Sequence, residues 1–300
     1  MKKLLLLTVL VISATAQSQI VDRSKLLTDI ETLSSKKFEG RRTGTPGNKL
    51  AADYISKRFS EIGLRSYQDD FRHPFTFKNR SEESKNGTNL IAYVKGKTDK
   101  VIVVSAHYDH LGSSGSTLYY GADDNASGVG AMLAFAEYFR KNRPLHTLLF
   151  IAFDAEESGL RGAAHFVSEP VVSKKNIVLN VNMDMISHND KKELYASGTY
   201  KHPELKSIIQ GVDKNTGIKI LFGHDLPDSG KDDWTMQSDQ GAFARANIPF
   251  IYFGVEDHND YHKPTDTFEN INQDFYYGAT TAILKSIVKL DKDLVTKTRK

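Results

Sequence analysis

Cysteine is absent from all 300 residues. That excludes a disulfide framework and any thiolate metal site, so a bound metal would have to take nitrogen and oxygen ligands. Excess charge of one sign is missing too. Lys and Arg number 40 against 37 Asp and Glu, a formal net charge of +3, and no long basic run appears. A nucleic-acid partner is therefore not expected, because phosphate backbones are met by clustered cations. No low-complexity linker and no internal repeat divides the chain, which predicts one domain over residues 17–300.

Long apolar runs are scarce outside the start, which reads "MKKLLLLTVLVISATAQSQ". Lys2 and Lys3 precede an apolar stretch from Leu4 to Ile12, and Ala14-Thr15-Ala16 supplies small residues at a cleavage position. The pattern is that of a cleaved secretory signal over residues 1–16, too short to span a bilayer. It predicts a secreted or periplasmic protein with no membrane attachment after cleavage at Ala16. A secreted fold without disulfides needs a large core, and the 39% hydrophobic content can supply one.

Helical periodicity covers residues 22–36 and 46–63. In the second stretch Ala51, Ala52, Tyr54, Ile55, Phe59 and Ile62 share a face, and Gly63 is a stop. From residue 89 the pattern becomes regular. Apolar strands "NLIAYVKG", "KVIVVSA", "HTLLFIAF", "NIVLNVNM", "IKILFG" and "IPFIYFG" are interleaved with helices. Those helices are "SGVGAMLAFAEYFRKN", "GLRGAAHFVSE", "HPELKSIIQGVDKNTG", "QGAFARAN" and residues 272–290. The alternation predicts a single α/β domain with a central, mostly parallel mixed sheet flanked by helices on both faces. In such sheets ligands bind beyond the carboxyl ends of the strands.

Acids and histidines gather at those strand ends. His107 and Asp109 follow "VIVVSA", and Asp124 lies in "GADDNASG" before the next helix. Glu156 and Glu157 follow "TLLFIAF", Asp184 follows "IVLNVN", and His262 comes shortly after "PFIYFG". Each alone has an ordinary explanation: a surface histidine, an N-cap loop, a solvated acidic turn. Their joint placement on one rim points to a metal centre. Histidine nitrogen with carboxylate oxygen suits zinc, or manganese or cobalt. No lysine or arginine stands near Asp123 and Asp124 in sequence, so the expected counter-charge is the metal. One carboxylate can bridge two such ions. Strand alternation puts His107 and Asp109 on one face, with Asp109 placed to fix the tautomer of His107, and turns His110 away from the site. Asp266, four residues after His262, is placed to orient that ring.

The ordered set His-x-Asp, Gly-Ala-Asp-Asp-Asn-x-Ser-Gly, Glu-Glu-Ser-Gly-Leu-x-Gly, Asn-x-Asp and His-x-x-x-Asp resembles the dizinc aminopeptidases of the bacterial leucyl aminopeptidase and aminopeptidase Y type. The resemblance runs from about Phe38 to about Asn272. It implies two Zn2+ per chain. His107, Asp124 and Asp184 would hold one; Asp124, Glu157 and His262 would hold the other, with Asp124 as the bridge. It further implies a cis peptide at Asp124–Asn125, Glu156 as general base, Asp109 and Asp123 in support of the ligands, and peptides with a free N-terminus as substrates. "SDQGAF" departs from the family's usual histidine at Gln240, a position expected to line the site and bear on specificity. Phe222, Trp234 and Tyr252 are candidates for a side-chain pocket. Competing expectations are a glutaminyl cyclase-like acyltransferase, a carboxypeptidase or dipeptidase of the same fold, and an inactive binding protein on this scaffold. A monomer is the expected state.

Overall fold

The computed structural model describes residues 20–79 and 81–297. The expected signal segment, residues 1–16, lies outside the described residues. In chain order the elements are α1 (Arg23–Leu33), α2 (Pro46–Ile62), β1 (Arg72–Lys78), β2 (Ser84–Val94), β3 (Val101–His107), β4 (Ser113–Ser114) and β5 (Thr117–Leu118). There follow α3 (Gly128–Lys141), β6 (Thr147–Phe153), α4 (Arg161–Ser168), β7 (Ile177–Met183), β8 (Glu193–Ser197), α5 (Pro203–Ile209), β9 (Lys219–Phe222), α6 (Gln240–Arg245), β10 (Phe250–Gly254) and α7 (Gln273–Lys297). Among the described residues no helix is long and apolar enough to cross a membrane.

One 8-stranded mixed sheet runs in the order β1-β2-β6-β3-β7-β10-β8-β9. Its centre, β6-β3-β7-β10, is parallel, and antiparallel pairs join β1 to β2, β2 to β6 and β10 to β8. Every residue of β3 and β6 is buried, as their uninterrupted apolar runs require. Strand alternation then divides their side chains between two cores. Ile102, Val104, Leu148 and Phe150 pack under α1, α2, α3 and α7, while Val103, Leu149, Ile151 and Phe153 pack under α4 and α6. Full burial of each such side chain contributes roughly 1.5–3 kcal/mol.

Helix limits follow from local chemistry. α2 starts where Thr45 Oγ1 accepts from Asn48 N at 3.3 Å, with Pro46 in the first turn. It stops at Gly63, whose φ of 77° lets the Gly63 and Leu64 N–H groups reach back to the Ser60 and Phe59 carbonyls.

The sheet extends further than the regular pattern from residue 89 implies. β1 and the first half of β2 precede it as an edge hairpin, and β8 lies in a stretch with no assigned strand. The apolar signal is weak in both, because each lies at or beside an edge and is only partly buried. The helix expected from His202 onward ends at Ile209, and turns carry the chain on to β9.

Candidate metal centre

The four central strands point their carboxyl ends at one rim. His107 ends β3, Glu156 and Glu157 follow β6, Asp184 follows β7, and His262 comes after β10. Asp124 reaches the same place from the turn between the β4–β5 hairpin and α3. That turn is held on all sides. Asp266 accepts from the backbone N–H of Asp123 at 2.7 Å and of Asp124 at 3.1 Å. Asn125 donates to Met183 O at 2.9 Å and accepts from Gly128 N at 3.0 Å. The Asp124–Asn125 peptide is cis. Gly121 has φ 63°, and a Cβ there would lie 2.3 Å from Asp124 O, so glycine is required.

Asp124 stands at the middle of the cluster, with its two oxygens facing different partners. Oδ1 lies 3.3 Å from His107 Nε2, and that nitrogen lies 3.2 Å from Asp184 Oδ1. Oδ2 lies 3.1 Å from His262 Nε2 and 3.6 Å from His110 Nδ1, and both of those rings also approach Glu157. Two groups of ligand atoms compact enough for a cation result: His107, Asp124 and Asp184, and His110, Asp124 and Glu157.

Burial opposes the charge on Asp124, but His110, His107 and His262 outweigh it and hold the carboxyl well below the usual range. Burial likewise opposes a charged His107, and Asp184, Glu156 and Asp124 outweigh it and push the imidazole well up. Burial drives Glu156 well above the usual carboxylate range; His107 opposes this, and Asp184, Asp239 and Glu157 add to it. So many buried acids on one rim fit a cation, because hard carboxylate oxygens and imidazole nitrogens are the donors a zinc-type ion takes.

Four expectations need correction. First, His110 belongs to the cluster. The strand ends at His107, so alternation no longer governs a residue three further on. Second, the carboxylate of Asp109 does not fix His107. It accepts from Glu156 N at 3.0 Å and Glu157 N at 3.3 Å, thereby placing both glutamates. The ring N–H of His107 goes instead to the Asp109 backbone carbonyl at 3.1 Å. Third, Asp266 holds the backbone of Asp123 and Asp124 and not the ring of His262. Fourth, Gln240 does not line the cleft. Its amide is buried between Asn182 Nδ2 and the Trp234 carbonyl, and through the latter it sets the tryptophan.

Sequence reasoning also missed a cation and an acid. Arg41 is buried against the Gly121 turn although 80 residues separate them in sequence, and it donates to the carbonyls of Leu33, Tyr108, Tyr120 and Gly121. Burial lowers its pKa to about 10, against the pull of Asp124, Asp266, Asp109 and Glu157. Asp239 is buried with neither oxygen hydrogen-bonded among the described residues. Burial raises it to about 7, with His107 opposing and Asp184 adding. Both lie in stretches that share the resemblance, Arg41 in "FEGRRTG" and Asp239 in "SDQGAF", but no ligand-type spacing singles out either side chain.

Asp123 turns away from the cluster. Its Oδ1 accepts from Ser187 N and Oγ, and its Oδ2 lies 2.8 Å from His258 Nε2. A small cleft on one side of the acids has Trp234, Tyr252 and Asp257 in its wall; Phe222 is not part of it. On the other side, against His110 and Glu157, opens a cavity of about 700 Å³ bordered by Arg42, Phe77 and Lys85.

The model of peptidase family M28 matches residues 89–287. The alkaline phosphatase isozyme conversion protein of Escherichia coli is 34% identical over 203 residues, which cover 63% of this chain and 57% of that protein. Aminopeptidase YwaD of Bacillus subtilis is 29% identical over 233 residues, covering 72% of this chain and 48% of that protein. The chain thus spans about half the length of these curated relatives. Among solved structures, a glutaminyl cyclase of Porphyromonas gingivalis superimposes with a TM-score of 0.75 at 16% identity, covering 90% of this chain and 99% of that one. A zinc aminopeptidase of Bacillus subtilis gives 0.72 at 17% identity, covering 89% and 95%. Both share the fold.

Proposed function

The chain belongs to peptidase family M28, and from that premise we propose that it is a zinc-dependent aminopeptidase with a dinuclear centre. The observation that carries this reading is the Asp124 carboxylate, whose two oxygens face two separate ligand sets. His107, Asp184 and Asp124 Oδ1 would hold one ion. Glu157, His262 and Asp124 Oδ2 would hold the other, with His110 beside them. Zinc bound there supplies Lewis acidity toward a peptide carbonyl and acidifies a bound water.

The remaining work falls to the chain's own residues. Glu156 is not required by either ligand set. It lines the small cleft beside both ligand sets, where a carboxylate can take a proton from the attacking water and return it to the leaving amine. The Asp109 carboxylate fixes its position through the Glu156 N–H. The free α-amino group of the substrate is a cation, and Asp257, which lines the small cleft and belongs to neither ligand set, would be its acceptor. Trp234 and Tyr252 would then wall the N-terminal side chain. The leaving peptide would extend into the larger cavity beyond His110.

The deciding experiment is a panel of peptides with free and blocked N-termini, assayed under zinc titration after chelation. Release of single N-terminal residues from free peptides alone supports the reading. Cleavage from the C-terminus, cyclisation of N-terminal glutamine, or a rate indifferent to chelation each replaces it. Secretion through residues 1–16 belongs to the same proposal and is tested by N-terminal sequencing of the exported protein, with Gln17 expected first.

A further inference from the structure

A second set of ligand-type side chains sits on the same rim, outside the centre described above. His188 follows β7, and His258 and Asp260 follow β10, so they too lie beyond the carboxyl ends of neighbouring parallel strands. One ligand atom from each of the three lies within 4.8 Å of the others. The two imidazoles stack at 4.1 Å between centroids and 27° between planes. His258-x-Asp260 repeats the spacing of His107-x-Asp109. All three side chains are part-exposed, so a hydrated ion can reach them.

His258 is oriented as metal-binding histidines are. Its Nε2–H donates to Asp123 Oδ2 at 2.8 Å, which fixes the tautomer and leaves the Nδ1 lone pair outward. That lone pair accepts a long bond of 3.2 Å from Asp260 N, which a cation would replace. His188 Nδ1 lies 3.6 Å from Asp260 Oδ2, too far for a hydrogen bond and consistent with two ligands facing one ion.

We propose that His188, His258 and Asp260 form a third metal site, separate from the catalytic centre, with Asp123 as the carboxylate that orients His258. Two imidazoles and one carboxylate select a borderline transition-metal dication such as zinc or cobalt over calcium or magnesium, with water completing the shell. The ion would tie the segment after β7 to the segment after β10, four residues ahead of His262.

The test compares the unaltered chain with a His188→Ala, Asp260→Ala double variant. Both are stripped with chelator and dialysed against the same free zinc concentration, and zinc per chain is measured by mass spectrometry. The variant should hold one ion fewer; equal content overturns the proposal. The criterion is the difference and not the total, so it stands or falls independently of how many ions the catalytic centre holds. If the double variant does not fold, His188→Gln serves instead. It should weaken one zinc at least tenfold in competition titration, and an unchanged affinity overturns the site.

Discussion

His110 Nδ1 lies 3.0 Å from Glu157 Oε1, which brings a third imidazole into the acid cluster beside His107 and His262. His110 is fully buried, and its Nε2 has no partner among the described residues. A buried ring aimed by one nitrogen at two carboxylates is placed to ligate in the proposed centre, or to brace Glu157 there. His110→Ala should weaken one of the bound ions about 10–100-fold, the usual cost of losing such a partner, and leave the ion at His107 and Asp184 in place. Competition against a chromophoric chelator reads this directly. An unchanged affinity would reduce His110 to packing.

Glu156→Gln keeps the shape of the side chain and removes its ability to accept a proton. Because neither ligand group includes Glu156, the variant should retain its full zinc content. Its kcat should fall about 10²–10⁴-fold, the range for loss of a general acid–base. Loss of metal in this variant would show that Glu156 is a ligand, and near-normal kcat would move the base elsewhere.

Much of this site was legible in the sequence because the parallel strands announce themselves. Their apolar runs end where His107, Glu156, Asp184 and the approach to His262 begin, and the carboxyl-end rule does the rest. What stayed hidden depends on contacts between distant segments. Arg41 meets Gly121 across 80 residues, and Asp239 is buried by tertiary packing alone. The errors at His110 and Asp109 have one cause. Alternation was carried past the last strand residue, into a stretch where the backbone turns and a carbonyl replaces the expected carboxylate. The edge hairpin was hidden because a half-exposed strand shows little apolar signal.

His73 gives a pH dependence far from the metal. It is buried on β1, where burial lowers its pKa; Asp70 opposes this, and His165 adds to the lowering. Its unfolded value is about 6.5. The folded state therefore resists a proton that the unfolded chain accepts. The neutral ring's contribution is fully present above about pH 6.5 and is lost as pH falls through the lower folded value. His73→Gln removes the titration. Urea unfolding of both chains from pH 8 to pH 5 should show the wild type losing ground to the variant as acid is added. A constant difference across that range would rule the histidine out as the source.

Arg41 gives the sharpest stability prediction. Its guanidinium donates to four carbonyls at 2.7–2.9 Å, from Leu33 at the end of α1, from Tyr108 just after β3, and from Tyr120 and Gly121 in the turn that carries Asp124. Arg41→Met fills similar space but takes its donors from the Leu33, Tyr108 and Tyr120 carbonyls, at about 1–3 kcal/mol for each left unsatisfied, while Gly121 O keeps the Ala126 N–H. It also removes the positive charge facing Asp124, Asp266, Asp109 and Glu157. With three carbonyls losing that donor, a loss of about 3 kcal/mol or more is expected in urea unfolding of the metal-free protein. Arg41→Lys restores the charge without the planar fork, and one ammonium has three donors for four acceptors. Its stability should therefore fall between the Met variant and the wild type. If lysine matched the wild type, charge alone would explain Arg41; if lysine matched methionine, the fork geometry would.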